Sequence, residues 1–290
     1  VIGLIVILVV ATVQVGGISE VIHIGQKSNR LRFADLKPSL YERATAITAL
    51  TSIPIGCLTY GFDQAGYQRY ASLPTLTKAR IVCWLLIPCH LLYLCLCYAV
   101  GLSVFAYFTN TGCDPIISGE ISKPNQVLPY FVSTYFADKP GGRGLFLAVL
   151  YSASLSSVSS VLGACAANIW EDHLKSFFPR TSEFRAAVVN RVLVLVIAVT
   201  TSCITIMCAS FEGNIIGLTL ILKSSLIGPI LGVFVLASTN KISEWRGTLL
   251  GFIVGVTFTC FTSFGGLNIP RAASPLDPIT IEQCPNNISI

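Results

Sequence analysis

The stretch Gly144–Trp170 reads GLFLAVLYSASLSSVSSVLGACAANIW, an uncharged run with an unusual density of hydroxyl groups. Six serines lie between Tyr151 and Gly163. A helix of about 20 apolar residues crosses a bilayer, so the run is long enough to span one. Because a backbone in lipid must satisfy its hydrogen bonds internally, the run predicts a transmembrane helix. Its serines serve either helix packing or ligand binding.

The whole chain has the composition of a membrane protein. Hydrophobic residues make up 53% of it, charged residues 11%, and the mean hydropathy is +0.73, whereas soluble domains carry about 25% charged residues. Uncharged stretches predict helices near residues 1–19, 44–68, 78–109, 142–170, 188–211, 213–238 and 246–268. An outer loop at 110–141 and an outer tail at 269–290 remain. We expect one all-α, polytopic transmembrane domain, and, since Val1 stands within an apolar run, a fragment of a longer protein.

Three signals bear on topology. Lys and Arg are denser in the loops at 63–80, 171–191 and 241–246, which the positive-inside rule places in the cytoplasm. Asn287 opens an Asn-Ile-Ser glycosylation sequon, which is used only on the lumenal or extracellular face. Cys113 and Cys284 fall in loops on that same side, where an oxidising exterior would let them pair. Together these signals predict an extracellular C-terminal tail. Seven apolar segments also suggest a seven-helix receptor, but a receptor of that kind would end in the cytoplasm.

The serines of the opening stretch share one face of the predicted helix. At helical spacing, Ala153, Ser156, Ser157 and Ser160 fall within about a third of the circumference. Small residues allow membrane helices to approach closely, which is the packing interpretation. Sodium is a hard cation that prefers oxygen ligands, as calcium and magnesium do, which is the ligand interpretation. The residues alone leave both open.

Three stretches resemble the sodium/solute symporter family, nearest to its branch for monocarboxylates, iodide and water-soluble vitamins. They are YGFDQAGYQRYAS (Tyr60–Ser72), GCDPIISGEISKPNQVLPYF (Gly112–Phe131) and GLFLAVLYSASLSSVSSVLGACAANIWEDHLKSFFP (Gly144–Pro179). The resemblance implies an inverted-repeat fold, of which this chain would hold the second five-helix repeat and one flanking helix on each side. It also implies a sodium site at the hydroxyls of Ser156 and Ser157 and the carbonyl of Ala153, with Ser160 as an extra oxygen. The remaining ligands would come from the first repeat.

The segment near 44–68 carries the predicted substrate pathway. Three helix-breaking residues interrupt it: Pro54, Gly56 and Gly61. A short, interrupted apolar segment is typical of a broken helix at a transporter binding site, although a proline kink is the simpler alternative. The resemblance places Tyr60 and Gln64 beside the substrate, with Tyr60 as an aromatic lid.

Two charges depart from the family pattern. Asp63 stands where relatives commonly have Asn, and Lys223 interrupts an apolar run where they have a neutral residue. A lone charge inside a membrane costs about 2.5–3.5 kcal/mol and usually has a function. We hypothesise that Asp63 and Lys223 pair, or that Lys223 meets an anionic substrate. Alternatively, Asp63 lies at a helix end and Lys223 snorkels to the interface.

Together these features predict a sodium-coupled secondary transporter that imports a small anionic solute by alternating access. The alternatives are a symporter of a neutral solute such as a sugar or choline, and a non-transporting receptor or channel-like protein. We expect no enzymatic activity and no nucleic-acid partner, since no phosphate loop and no metal-ligand spacing occurs in the sequence. The expected partners are sodium, the solute and the lipid bilayer. The sequence carries no signal for the oligomeric state.

Overall fold

The computed structural model describes residues 1–31, 56, 60–61, 63–138, 140–209, 215–239, 244–265 and 284. Every regular element in these ranges is helical, as the sequence predicts. The larger helices are α1 (Ile2–Val15), α2 (Ile18–Lys27), α3 (Gln64–Ala71), α4 (Leu76–Thr111), α5 (Val127–Tyr135), α6 (Gly142–Asn168), α7 (Glu183–Ala209), α8 (Ile215–Thr239) and α9 (Trp245–Gly265). Their apolar runs form helices because a backbone surrounded by lipid can satisfy its hydrogen bonds only within the segment.

Five helical stretches in the described residues are long and apolar enough to cross a membrane. They are Leu76–Thr111, Gly142–Phe177, Glu183–Met207, Ile221–Thr239 and Trp245–Gly265. The stretch that begins with α6 continues through a π-helical turn at Ile169–Leu174. The predicted helix near 44–68 lies mostly outside the described residues, and α3 runs past its predicted end. The predicted outer loop at 110–141 contains the helix α5.

The predicted single helix near 1–19 is instead two helices, α1 and α2, that meet at a bend of 80°. Gly16 and Gly17 form the bend, with φ of 105° and 115°. These left-handed values suit glycine, which has no Cβ to clash. The Gly17 N–H donates to the Thr12 carbonyl at 2.9 Å and the Gly16 N–H to the Val13 carbonyl at 3.2 Å, which closes α1 with a Schellman cap.

By contact, the chain divides into two units. One unit comprises α1, α2, the part of α4 from Cys89 onward, α5, α8 and α9. The other comprises α3, the part of α4 up to Pro88, α6 and α7. Helix α4 therefore contributes to both units, and the division falls after Pro88 within it.

In the first unit, α2 packs against α4 around a small apolar core. Its buried members are Val15, Val21, Ile24 and Ala106. The hydroxyls of Thr12 and Ser103 lie 3.3 Å apart in a hydrogen bond between α1 and α4. The Arg30 guanidinium lies 3.7 Å from the Phe105 ring centroid, a cation–π contact that fixes the end of α2.

The loop between α4 and α5 is ordered by its own side chains. Asp114 accepts a hydrogen bond from the Ile116 N–H at 2.8 Å, which sets the turn after Cys113. The Gln126 side-chain oxygen accepts from the N–H groups of Ser122 and Lys123, at 3.0 and 3.1 Å. Beyond it, the buried Phe131 ring meets Tyr107 of α4 edge to face at 4.9 Å between centroids.

Helices α8 and α9 pack together through a proline site. Pro229 lies inside α8 and has no N–H, so the Ser225 carbonyl one turn earlier loses its helical donor. The Thr259 hydroxyl of α9 lies 2.7 Å from that carbonyl and 2.8 Å from the Gly255 carbonyl of its own helix, so the two carbonyls share its one proton. The helices lie close together here, since a Cβ added at Gly255 would be in van der Waals contact with the Pro229 ring at 3.4 Å. A threonine of one helix thus supplies a hydrogen bond to a carbonyl that the proline leaves without a donor in the other helix.

Candidate functional site

The candidate site lies on α6, which carries the serines of the opening stretch. The chain enters α6 through Gly141, which has φ of 84°. Gly142 follows beneath the Phe136 ring, and an added Cβ there would lie 2.3 Å from the Phe136 Cδ1. This close approach fixes where α6 begins. Within its unit, α6 packs against α3 and α7.

The predicted sodium ligands form a ladder of oxygens along α6. The Ser157 hydroxyl donates to the Ala153 carbonyl at 3.2 Å, and the Ser160 hydroxyl donates to the Ser156 carbonyl at 2.9 Å. Ser159 donates to the same Ser156 carbonyl at 3.2 Å. Such bonds to the preceding turn use the hydroxyl protons, so each hydroxyl oxygen can still accept a hydrogen bond or bind a cation. Ala153, Ser156 and Ser157 are all exposed within this chain.

The spacing of this ladder suits a hard cation. The Ala153 carbonyl oxygen and the Ser157 hydroxyl oxygen lie 3.2 Å apart. A cation at about 2.4 Å from each, the range of calcium–oxygen bonds, would see them at an angle of about 80–90°. That is the angle between neighbouring ligands in an octahedral site. The two groups can therefore form one edge of a coordination sphere, and the rest must come from elsewhere.

A cationic side chain occupies the far end of the ladder. The Arg69 Nη2 of α3 donates to the Ser160 hydroxyl oxygen at 2.7 Å. The two residues are separated by 91 positions in sequence, so the contact depends on the packing of α3 against α6. Ser160, which the sequence predicts as an extra sodium oxygen, here contacts an arginine instead. No sequence pattern singles out Arg69, and only the tertiary structure brings it to the serines.

The three predicted substrate-pathway residues of this unit lie at the start of α3. Asp63 is the N-cap of α3, because its carboxylate accepts from the Gly66 N–H at 2.9 Å. Gln64 is the first residue of the helix, and Tyr60 stands shortly before it, both half-buried. Burial raises the pKa of the nearby Tyr70 phenol, with further contributions from Cys83 and Tyr60. Of the predicted broken helix, Pro54 lies outside the described residues, as do its immediate neighbours.

Lys223 lies within α8 with an exposed side chain. It belongs to the first unit, whereas Asp63 belongs to the second. The pairing of Asp63 with Lys223 therefore stays a prediction. The cap that Asp63 supplies to α3 does match the simpler alternative, in which this carboxylate lies at a helix end.

The two loop cysteines are joined in the structure. A disulfide connects Cys113, which follows α4, to Cys284 in the tail, with 4.9 Å between their Cα atoms. This bond fixes one point of the tail beside the loop that leads to α5. Asn287, the predicted glycosylation site, lies outside the described residues.

Apolar helices of spanning length, one of them with an oxygen-lined face, define a polytopic α-helical membrane protein. The chain belongs to the sodium:solute symporter family, whose model matches residues 1–255. This match confirms the resemblance that the three quoted stretches carry.

Individual relatives give the same result. The chain is 31% identical over 289 residues to sodium-coupled monocarboxylate transporter 2 of Bos taurus, with 98% of this chain and 46% of that protein covered. It is 30% identical over 273 residues to the sodium/iodide cotransporter of Homo sapiens, with 92% and 42% covered. A putative sodium-dependent multivitamin transporter of Drosophila melanogaster is 27% identical over 288 residues, with 93% and 46% covered. The chain thus spans about half the length of these relatives.

Proposed function

We propose that this chain forms part of a sodium-coupled symporter that imports a small anionic solute across the plasma membrane. The observation that carries the proposal is the pair of oxygens at Ala153 and Ser157, 3.2 Å apart on an exposed face of a membrane-spanning helix. Family membership gives the coupled ion as sodium. Sodium is cargo in this mechanism, and this chain would supply about half of its binding site.

The chain would hold the second five-helix repeat of an inverted-repeat fold, with one flanking helix on each side. Ala153, Ser156 and Ser157 would form one side of the sodium site, and the first repeat would supply the other. The exposure of these residues within the chain supports this arrangement, because it leaves the face open to groups from another part of the protein. A serine face that served only packing against helices of this chain would be covered by them.

Coupling follows if sodium and solute stabilise the same conformation, since each then raises the affinity for the other by the same factor. A membrane potential of 100 mV, negative inside, adds about 2.3 kcal/mol for each charge that enters. The short helix α3 would link the proposed sodium site to the proposed substrate pathway, because Asp63 and Gln64 lie at its start and Arg69 of the same helix contacts Ser160. The chemistry is binding and conformational change, without a covalent step, so the protein would not be an enzyme.

The names of the relatives support an anionic solute, since monocarboxylates and iodide are anions. Lys223 is the residue of this chain that we propose for contact with such an anion. It is a cation within a membrane-spanning stretch, where a charge is costly unless it has a use. A neutral solute such as a sugar or choline would leave this charge without a role in binding.

The test uses the full-length protein that contains this chain, expressed in cells. Uptake of labelled lactate, iodide and biotin is measured with sodium and with choline in its place. We expect one of these solutes to enter only with sodium, and the double change Ser156→Ala plus Ser157→Ala to abolish that dependence. Sodium-independent uptake, or sodium dependence that survives the double change, would refute the proposed site.

The topology has its own test. The tail and the loop at Cys113 are proposed to be extracellular, with Asn287 glycosylated. After mild reduction of intact cells, a membrane-impermeant thiol reagent should label Cys113 and Cys284, and removal of N-linked glycans should shift the mass only while Asn287 is present. Labelling that requires permeabilised cells would reverse the orientation.

A further inference from the structure

The contact between Arg69 and Ser160 puts a fixed positive charge at the serine ladder. The Arg69 Nη2 lies 2.7 Å from the Ser160 hydroxyl oxygen, a short distance for such a hydrogen bond. The Ser160 hydroxyl in turn donates its proton to the Ser156 carbonyl at 2.9 Å. Arginine carries only donors and remains charged at every physiological pH. The Ser160 hydroxyl therefore donates one hydrogen bond to the Ser156 carbonyl and accepts another from the Arg69 guanidinium.

This arrangement disagrees with a role for Ser160 as a sodium ligand in the same state. A cation at Ser160 would have to share the hydroxyl oxygen with a guanidinium of like charge. Ser157 lies three residues earlier on α6, which corresponds to about 4.5 Å along the helix axis. A sodium ion at Ala153 and Ser157 would therefore lie well within the Debye length of about 8 Å from the ladder's end, where the Arg69 charge is felt.

We propose that Arg69 is a tethered cation that competes with sodium for the serine ladder of α6. This inference rests on the proposed function, and it concerns the regulation of the same sodium site. When sodium is absent, the guanidinium stays on Ser160 and supplies the positive charge that the oxygens attract. When sodium binds at Ala153 and Ser157, repulsion weakens the hold of Arg69 on Ser160.

The competition gives sodium a mechanical connection to the substrate pathway. Arg69 lies on α3, the eight-residue helix that Asp63 caps and that Gln64 begins. The Arg69 carbonyl also accepts from the Ser72 hydroxyl at 2.9 Å, a bond local to the end of α3. Release of the guanidinium from Ser160 would therefore free α3 from a polar anchor to α6. Sodium binding and the position of α3 would then be linked, and the linkage is reciprocal.

The test measures binding of sodium alone, as radioactive ²²Na⁺, to the purified full-length protein at constant ionic strength held with choline. It compares Arg69→Gln, Arg69→Lys and Ser160→Ala with the unchanged protein. Arg80→Gln is the matched control, because it removes the same charge from an exposed position on another helix of the same unit.

Arg69→Gln should tighten sodium binding about 3- to 10-fold, which is the repulsion of two charges at this range discounted for the exposure of Arg69. Arg69→Lys keeps the charge and should restore most of the original affinity. Ser160→Ala should tighten binding to a lesser degree, because Arg69 loses its anchor. If Ser160 were a sodium ligand instead, the same change would weaken binding, so the sign of the effect decides between the two roles. Arg80→Gln should alter affinity by less than about 1.5-fold, as expected for a screened surface charge.

Ser157→Ala separates failure of this inference from failure of the proposed function. If Ser157→Ala weakens sodium binding while Arg69→Gln leaves it unchanged or weaker, the sodium site stands and the competition is overturned. If Ser157→Ala has no effect on sodium binding, the proposed site falls, and the competition falls with it. Should Arg69→Gln fail to fold, the sign of the Ser160→Ala effect decides whether the competition stands.

Discussion

Two places in this protein put hydroxyl groups in apolar helices and use them differently. On α6, Ser156 and Ser157 lie on an exposed face, and the bond of the Ser157 hydroxyl within the described residues is to the preceding turn of its own helix. Between α8 and α9, the Thr259 hydroxyl reaches across to the Ser225 carbonyl, and Ser225 is almost fully buried. In the first arrangement the serine oxygens stay on an exposed face, whereas in the second the hydroxyl proton satisfies a buried carbonyl of a neighbouring helix.

The difference shows that a serine or threonine in a membrane helix can either satisfy a backbone group or remain available to a ligand. At α8, Pro229 removes a backbone donor, and the hydroxyl of the neighbouring helix repairs the loss. At α6, no proline lies in the helix, so no backbone group needs the serines. Hydroxyls without a structural task, on an exposed face, are the better candidates for a ligand. The following variants test this distinction, in order of the size of the expected effect.

Ser157→Ala in the full-length protein should have the largest effect. It removes one of the two oxygens that form an edge of the proposed sodium site, and we expect the sodium concentration for half-maximal uptake to rise about 10- to 100-fold, which corresponds to about 1.4–2.7 kcal/mol. Ser157→Thr keeps a hydroxyl and should behave like the unchanged protein. Ser159→Ala is the control, because Ser159 lies about 160° from Ser157 around α6, and it should leave the sodium dependence as it was.

Gly142→Ala should destabilise the start of α6. The new methyl group would lie 2.3 Å from the Phe136 Cδ1, so either the ring or the helix must move. We expect a loss of about 1–3 kcal/mol in the free energy of unfolding, as for other overpacked sites. Gly144→Ala is the matched control, because an added Cβ there has nothing within 4 Å. Equal thermal stability of the two variants in detergent would show that Phe136 does not fix this helix.

Thr259→Val should lower stability without changing sodium dependence. It leaves the Ser225 carbonyl buried and without a donor, at a cost of about 1–2 kcal/mol. Thr259→Ser should retain the bond. Thr257→Val is the control, because Thr257 is exposed and its hydroxyl donates to the Ile253 carbonyl of its own helix. A shift in the half-maximal sodium concentration for Thr259→Val would contradict the contrast drawn between α6 and α9.

Asp63→Ala should have the smallest effect, a loss of about 1 kcal/mol from the missing N-cap of α3. Asp63→Asn keeps an oxygen that accepts from the Gly66 N–H, so its thermal stability and uptake should match the unchanged protein. If Asp63 pairs with Lys223, the neutral asparagine will instead reduce uptake, and Lys223→Met combined with it will restore part of the loss. The two outcomes separate a local cap from an intramembrane ion pair.

Much of the helical framework could be predicted from sequence. The predicted helix near 78–109 is α4, at Leu76–Thr111, and the predicted helix near 246–268 is α9, at Trp245–Gly265. Such helices can be predicted because length and apolarity decide which segments can enter lipid. The bend between α1 and α2 was missed, although Gly16-Gly17 is a chain-breaking pair that signals it. Hydropathy alone ends a helix at a charge, and the first charged side chain, Glu20, lies beyond the bend.

The candidate site divides in the same way. That Ala153, Ser156, Ser157 and Ser160 share one face was available from the sequence, because helical spacing is a local property. The sequence did not show which of these oxygens meets a cationic side chain. Arg69 lies 91 positions from Ser160 and reaches it only when α3 packs on α6. Likewise Pro229 predicts that the Ser225 carbonyl lacks a helical donor, but only the packing of α9 shows that the Thr259 hydroxyl supplies one.

The sequence by itself therefore determined the class of the protein, the family and the row of oxygens on α6. These follow from composition, from motifs and from the periodicity of a single helix. The tertiary structure alone decided that Arg69 lies at the end of that row, that Thr259 closes the proline site and that α1 turns into α2 at 80°. The physical reason is that hydrogen bonds between helices depend on distances across the fold, which local sequence patterns do not encode.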